Sequence, residues 1–349
     1  MKTPDLFVVT RWLSCLLLLV GGVAAAGQTH PGAAKFAHDV AARHGLSEQH
    51  VLDILGQAER QQSILDAISR PAESKPWKDY RPIFLTAARI DGGVAFFDGN
   101  RALLKRIADK YGVDPAYIVA IIGVETSYGV NIGKYRVLDA LATLAFYYPP
   151  RQTFFRGELE KLLTLPEHQL PMPIIDLKGS YAGAMGWGQF MPSSIAAYAR
   201  DEDGDGHINL YDSLPDIIGS VANYLSEHGW KRGAPVAISA QVAVNAKPVV
   251  TEKSKPIYTV GKLEALGYAP TGSVAAATAA TLLQLDGSQG QESWLTFGNF
   301  QVITRYNRSP LYAMAVTQLA NAIRDGSLEV PAKSAGNAPA PAVSASAPP

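Results

Sequence analysis

One carboxylate stands out by its setting. Glu125 follows an apolar run and precedes Thr-Ser-Tyr-Gly in "IIGVETSYGVNIG", Ile121 to Gly133. A carboxylate at the edge of a core is costly to desolvate, so it either reaches water or has a use. Asp114-Pro115 offers an N-cap and a proline at the first helical position. The run from Ala116 to Thr126 is therefore expected to be a helix, with Gly129 as its C′ residue. Glu125 then sits in the last turn. The negative helix end and the apolar neighbours Ile121, Ile122 and Val124 both disfavour its charged form. A carboxyl still protonated near neutral pH is what general acid catalysis requires. An exposed glutamate at a helix end is the plainer alternative, and this stretch alone does not choose between them.

A second cluster reads as a metal loop. Asp201-Glu202-Asp203-Gly204-Asp205-Gly206-His207-Ile208-Asn209-Leu210-Tyr211-Asp212 fits a twelve-residue EF-hand loop. Asp201, Asp203 and Asp205 occupy positions 1, 3 and 5, Gly206 the sharp turn at 6, and His207 offers a carbonyl at 7. Asp212 stands at position 12 in place of the usual glutamate, so its shorter arm reaches less easily for bidentate contact. A solvated Asp/Gly turn is the alternative. A single loop without a partner loop suits a structural calcium brace better than a sensor.

Three further stretches are dense in glycine, aromatics and amides: "GSYAGAMGWGQFMPSS" (179–194), "SVANYL" (220–225) and "FGNFQVITRYNRS" (297–309). Small residues let a ligand approach the backbone, and tyrosine or tryptophan faces suit sugar rings. Gln189, Asn223 and Asn307 offer donors and acceptors for hydroxyl and acetamido groups. No clustered His/Cys set suggests zinc, and no glycine loop ending in Lys-Ser/Thr suggests a nucleotide phosphate. No Ser-His-Asp arrangement stands out at a nucleophile elbow.

The elements that must position these residues are mainly helical. Apolar residues from Phe36 to Ile68 recur at three- and four-residue steps, with Pro71, Pro76 and Pro82 expected to break the region into short helices. Further helices fit 100–111, 137–146, 153–165, 193–199, 214–228 and 311–322. After Trp230 the period changes to two, with strands expected near 236–244, 257–260, 281–285, 293–297 and 300–305. The fold class is α+β, mainly α, with a small antiparallel β-subdomain inserted near residue 231.

The 349 residues are 47% hydrophobic and 18% charged, a globular balance with room for a large core. Thirty-one basic and 31 acidic residues leave no basic field for nucleic acid. Lys2 and Arg11, the apolar run 13–20 and the Ala24–Ala26 stretch read as a signal peptide cleaved after Ala26, which implies export. The only cysteine, Cys15, lies inside that apolar run, so lipoprotein anchoring is not expected. The Ala/Pro/Ser-rich stretch 331–349 is expected to be disordered.

Taken together, "GVETSYG", "GSYAGAMGWGQFMPSS", "SVANYL" with the preceding "DEDGDGHINLYD", and "GNFQVITRYNRS" resemble the lytic murein transglycosylase B family. "RPAESKPWKDYR" (70–81) resembles that family's N-terminal helical region, and the matches run in family order from about residue 35 to 325. The resemblance implies a lysozyme-like catalytic core, here 98–230 with the loop 201–212. It also implies a helical subdomain at 30–97 joined by a C-terminal helix at 310–328, and a β-subdomain with return segment at 231–309. It implies cleavage of the β-1,4 bond between N-acetylmuramic acid and N-acetylglucosamine in peptidoglycan, without water, giving 1,6-anhydromuramoyl ends. Glu125 would be the acid and then the base. Ser180, Gln189, Tyr306 and Asn307 would line the cleft. Tyr80, Tyr224 and Tyr312 would serve sugar subsites, and Arg151 would meet a peptide or lactyl carboxylate. The family often shows Tyr-Pro-Arg-Arg where this chain has Tyr148-Pro149-Pro150-Arg151, so one basic contact is missing.

The implied cofactor is structural Ca2+, with no organic cofactor. The implied partners are peptidoglycan glycan strands, with cell-wall synthesis or division proteins as further possible partners, and the chain is expected to be a periplasmic monomer. The glycine/aromatic motifs contain no second acid, whereas ordinary glycosidases need two carboxylates about the scissile bond. Asp139 or Asp176 would have to fold back to supply one. The alternatives are a lysozyme-type hydrolase, which would leave reducing ends, and a non-catalytic peptidoglycan-binding protein on the same fold.

Overall fold

The computed structural model describes residues 29–69, 75–251 and 256–326. The expected signal peptide, with Cys15, and the expected disordered tail lie outside these residues. The chain is α+β and mainly helical. Six helices lead in: α1 (Ala33–His44), α2 (Glu48–Leu55), α3 (Gln62–Ile68), α4 (Trp77–Phe84), α5 (Ala87–Gly99) and α6 (Arg101–Tyr111). The middle of the chain holds α7 (Pro115–Thr126), β1 (Tyr135–Arg136), α8 (Val137–Tyr147), α9 (Gln152–Thr164), β2 (Lys178–Gly179), α10 (Pro192–Tyr198) and α11 (Leu214–Glu227). The last third holds β3 (Ala237–Val242), β4 (Tyr258–Thr259), α12 (Val260–Ala265), β5 (Tyr268–Pro270), β6 (Ala279–Gly287), β7 (Gly290–Thr296), α13 (Gly298–Tyr306) and α14 (Pro310–Asp325).

Helix α7 is the axis of the molecule. The Asp114 carboxylate accepts the Ala116 N–H at 2.9 Å and Pro115 opens the first turn, as the sequence leads one to expect. Every residue from Ala116 to Thr126 is buried, so the helix is apolar on all sides and needs neighbours on all sides. Helices α5, α6, α11 and α14 supply them. One apolar core runs from α1 through α11 and takes in α13 and α14.

Strands β3 to β7 form an antiparallel sheet in the order β4-β6-β7-β3-β5. Alternation along β6 gives the sheet two faces. Ala280 and Leu282 join Leu295, Val260 and Leu263 in a small second core, whereas Leu283 and Leu285 pack towards the main one. Glu292 on β7 accepts from the indoles of both Trp77 (3.3 Å) and Trp294 (3.2 Å), tying the sheet to α4. Among the described residues no helix is long and apolar enough to cross a membrane.

Three local expectations are corrected. The stretch 300–305, expected as a strand, lies within α13. Val302, Ile303 and Thr304 favour extended backbone locally. However, Asn299, Phe300, Val302, Ile303 and Tyr306 are buried together on one helical face against α11 and α14. Gly129 is not the residue that ends α7: the chain turns left-handed two residues earlier, at Ser127 (φ 51°). Pro82 does not separate helices but sits inside α4. Only the bond to the Lys78 carbonyl is lost there, in a helix that ends two residues later.

Candidate active site

Glu125 projects from the last turn of α7 and is 7% exposed, so almost all of it is out of water. Its Oε1 accepts one hydrogen bond, 2.6 Å from the Tyr312 hydroxyl. Burial pushes its carboxyl up to about 8, and the Tyr312 bond works against this by favouring the charged form. Tyr312 is placed from the other end of the chain. The Ser309 hydroxyl caps α14 by accepting the Tyr312 N–H, Pro310 opens the helix, and α14 packs on α7. Tyr306, at the end of α13, is buried near enough to feel the Glu125 charge and donates to the Gly188 carbonyl at 2.6 Å. Burial and the neighbouring carboxyl hold both phenols well above their ordinary range, so both remain hydrogen-bond donors.

The other buried carboxylates are already engaged. Asp139 pairs with Arg136 at 2.7 Å and accepts the Glu59 N–H. Glu158 accepts the backbone and hydroxyl of Ser193. Glu202 meets Lys110 at 2.6 Å and the Tyr111 hydroxyl, and Asp216 accepts the Glu202 and Asn209 N–H groups at 2.8 Å each. Asp176 is exposed. Among the described buried acids, Glu125 alone has neither a cation nor a backbone donor as a recorded partner.

The glycine-rich stretch folds into a tight wall. Met185 and Phe190 exchange backbone hydrogen bonds at 2.9 Å, and Ser180 Oγ accepts the Ala182 and Ala184 N–H groups. Gln189 has a left-handed backbone (φ 51°) and donates its amide to the Ile132 and Gly186 carbonyls at 3.1 and 2.9 Å. Gln189, Tyr224 and Tyr306 line one small pocket with Ser194 and Arg305; Glu125 is not part of its lining. Tyr224 donates to the Arg305 carbonyl at 2.6 Å, its ring packed on Tyr306 and His228. Tyr80 is buried between Trp77 and Phe84, close enough to Tyr312 to influence it. Asn307 is buried and accepts the Ser309 N–H, linking α13 to α14. Arg151 lies over the rings of Phe154 and Phe155 and within electrostatic reach of Arg308, Tyr148 and Tyr181.

In the acidic loop, carboxylate oxygens of Asp201, Asp203 and Asp205 lie within 4.8 Å of one another. Gly206 makes its turn at φ 90°. Three hard oxygen donors converging on one point fit a hard cation such as calcium. Asp212 is exposed and outside that trio, its N–H bonded to Asn209 Oδ1. The loop is bolted to the wall of the site: Trp187 N–H donates to the Leu210 carbonyl, the Tyr211 hydroxyl to Lys178, and Ile208 N–H to His168. Arg89, which lies outside the motifs, and Thr126 and Tyr128, which lie within "GVETSYG" but to which the sequence assigns no role, also build the site. Thr126 Oγ1 donates to the Trp187 carbonyl at 2.9 Å and accepts the Gly129 N–H. The adjacent glycines Gly92-Gly93 within a helical pattern were the sequence signal for a close approach there.

The Transglycosylase SLT domain family model matches residues 28–321. The chain is 43% identical over 304 residues to the membrane-bound lytic murein transglycosylase B of Escherichia coli K12, covering 84% of this chain and 83% of that protein. It superposes on the soluble lytic transglycosylase SltB1 of Pseudomonas aeruginosa with a TM-score of 0.79 at 47% identity, covering 85% of this chain and 99% of that one. It also matches the Escherichia coli lytic transglycosylase Slt35 in complex with calcium, with a TM-score of 0.76 at 42% identity, covering 85% and 94%. The chain therefore belongs to the transglycosylase SLT domain family.

Proposed function

We propose that this protein is a peptidoglycan lytic transglycosylase in which Glu125 is both acid and base. The observation that carries the reading is Glu125 itself: buried, protonated up to about pH 8, and without a second carboxylate among its recorded partners. The Glu125 carboxyl gives its proton to the glycosidic oxygen between N-acetylmuramic acid and N-acetylglucosamine as the C1–O bond breaks. The acetamido carbonyl of the muramoyl residue stabilises the oxocarbenium-like C1. The Glu125 carboxylate then takes the proton of the muramoyl C6 hydroxyl as O6 closes on C1. The acid is regenerated, no water is consumed, and the product carries a 1,6-anhydro end. A hydrolase would need a water and commonly a second acid to flank the bond, and every other buried carboxylate among the described residues is held elsewhere.

Tyr306, Gln189, Ser180 and Asn307 are read as the cleft lining, Tyr80, Tyr224 and Tyr312 as its aromatic support, and Arg151 as the contact for a substrate carboxylate. Residues 98–230 hold the acid and the loop, α14 packs on the helix that carries the acid, and α4 links α14 to the sheet. Calcium would be held by Asp201, Asp203, Asp205 and Asp212 with the His207 carbonyl. It would neutralise the clustered carboxylates and so brace the wall that carries Trp187 and Gln189. Two relatives support both parts, one a murein transglycosylase and the other a lytic transglycosylase solved in complex with calcium. With the leader that the sequence leads one to expect, ending at Ala26, and a cell-wall substrate, the reaction would run in the periplasm.

Digestion of purified sacculi by residues 27–349, with mass spectrometry of the released muropeptides, tests this reading. Anhydromuramoyl ends are expected, and reducing ends would replace the transglycosylase by a hydrolase. Binding to sacculi without any product would leave a binding protein.

A further inference from the structure

The exit of α7 is the least ordinary backbone among the described residues. Ser127 (φ 51°), Tyr128 (φ 61°) and Gly129 (φ 84°) are left-handed in succession, immediately after Glu125-Thr126. Left-handed non-glycine residues persist only where their surroundings over-determine them. Here the surroundings are explicit. The Tyr128 ring lies against Gly92 and Gly93 of α5 and Gly123 of α7. A Cβ on Gly123 would lie 2.6 Å from the Tyr128 hydroxyl, with only Tyr128 atoms as its nearest neighbours, and one on Gly93 would be closer still. The hydroxyl donates to the Arg89 carbonyl at 2.8 Å, and the ring stacks on Phe96 at 5.8 Å. The Arg89 guanidinium, over the Phe84 ring, donates to the Ser127 hydroxyl at 2.7 Å and to the Ile83 carbonyl at 2.9 Å. Ser127 and Tyr128 N–H groups return to the Gly123 and Ile122 carbonyls. Helix ends fray unless held, and Glu125 is in the last turn of this one.

We infer that Tyr128, seated in the slot of Gly92, Gly93 and Gly123 and latched to Arg89, is the positioning residue for Glu125. It touches neither the carboxyl nor, on this reading, the sugar. It fixes the rotation and depth of the turn that carries the acid and keeps that turn dry. The inference rests on the assignment of Glu125 as acid and base.

The test uses sacculi digestion rates, binding of sacculi in the Glu125→Gln background, melting temperatures and pH profiles. Tyr128→Leu empties part of the slot and removes the bond to Arg89. Its kcat should fall by about 10²-fold, the loss that a displacement of roughly 1 Å brings, while sacculus binding stays as it was. The basic limb of its pH profile should move to lower pH as water reaches the acid. Tyr128→Phe keeps the ring in the slot and should recover most of the activity. Gly123→Ala pushes on the same ring and should mimic Tyr128→Leu. The double variant should lose little more than either single one, because the two act on one contact. A folded Tyr128→Leu and a folded Gly123→Ala with wild-type kcat and basic limb, changed only in melting temperature, would overturn the latch while leaving Glu125 as the acid. An active Glu125→Gln would overturn both.

Discussion

Replacing Glu125 by glutamine should make the protein more stable, and increasingly so as the pH rises. The carboxyl keeps its proton up to about pH 8 in the folded chain, against an ordinary value of 4.5, because burial penalises the charge. Between those two pH values the folded state binds a proton that the unfolded state releases. Stability therefore falls as pH rises, by about 1.4 kcal/mol per pH unit for one such group. The contribution is fully present below about pH 4.5 and lost once pH passes about 8. Glutamine is a neutral near-isostere of the protonated acid and can still accept from Tyr312, which donates to Oε1 at 2.6 Å. The variant should thus match the wild type near pH 4.5 and exceed it by about 3 to 5 kcal/mol above pH 8. Urea unfolding of both proteins at half-unit steps from pH 4.5 to 9, at fixed calcium, measures this difference. Every other titrating group is shared and cancels. Parallel stability curves would refute the reasoning, since they would mean that Glu125 ionises like a solvated carboxylate. On the proposed reading the same proton governs turnover, so activity on sacculi should be flat below the basic limb and fall through about pH 8.

Tyr312→Phe removes the one recorded donor to Glu125, a bond that favours the charged form. Its basic limb should therefore move upwards by about one pH unit, and a limb that stays put or moves down would show that this bond does not tune the acid. Asp203→Ala with Asp205→Ala dismantles the carboxylate trio. The wild type should gain about 2.7 kcal/mol at a calcium concentration a hundred times its dissociation constant, and the variant should gain nothing. Calorimetry with calcium and with chelator reads both, and an undiminished calcium response in the variant would remove the loop as the ion site.

Features written locally were legible. Asp114-Pro115 carries its own start signal, and α7 begins there. The acidic loop is legible for the same reason, since its donors lie within twelve consecutive residues. What failed were places where distant packing outvotes neighbours. The segment from Phe300 to Arg305 has the β-branched content of a strand. It is a helix because that winding puts Phe300, Ile303 and Tyr306 on one buried face. The short α12 and β5 were missed because they are stabilised by the small core around Leu263 and Tyr268, which forms only once the sheet has assembled.

The site divides in the same way. The sequence could say that Glu125 ends an apolar helix, and burial does raise its affinity for the proton. It could not say what the carboxyl touches, because Tyr312 is 187 residues away. Nor could it say why the second carboxylate of an ordinary glycosidase is missing. That argument needed the fate of each remaining buried acid: Asp139 held by Arg136, Glu158 by Ser193, Glu202 by Lys110, Asp216 by two backbone amides. Each of these groups is fixed by donors that would have to be given up before it could serve a sugar. A buried acid stripped of its donors costs on the order of 1–3 kcal/mol or more, so recruiting one as a second catalytic group is disfavoured by the fold itself. The proposed single-acid chemistry thus rests on the engagement of the other buried carboxylates as much as on Glu125.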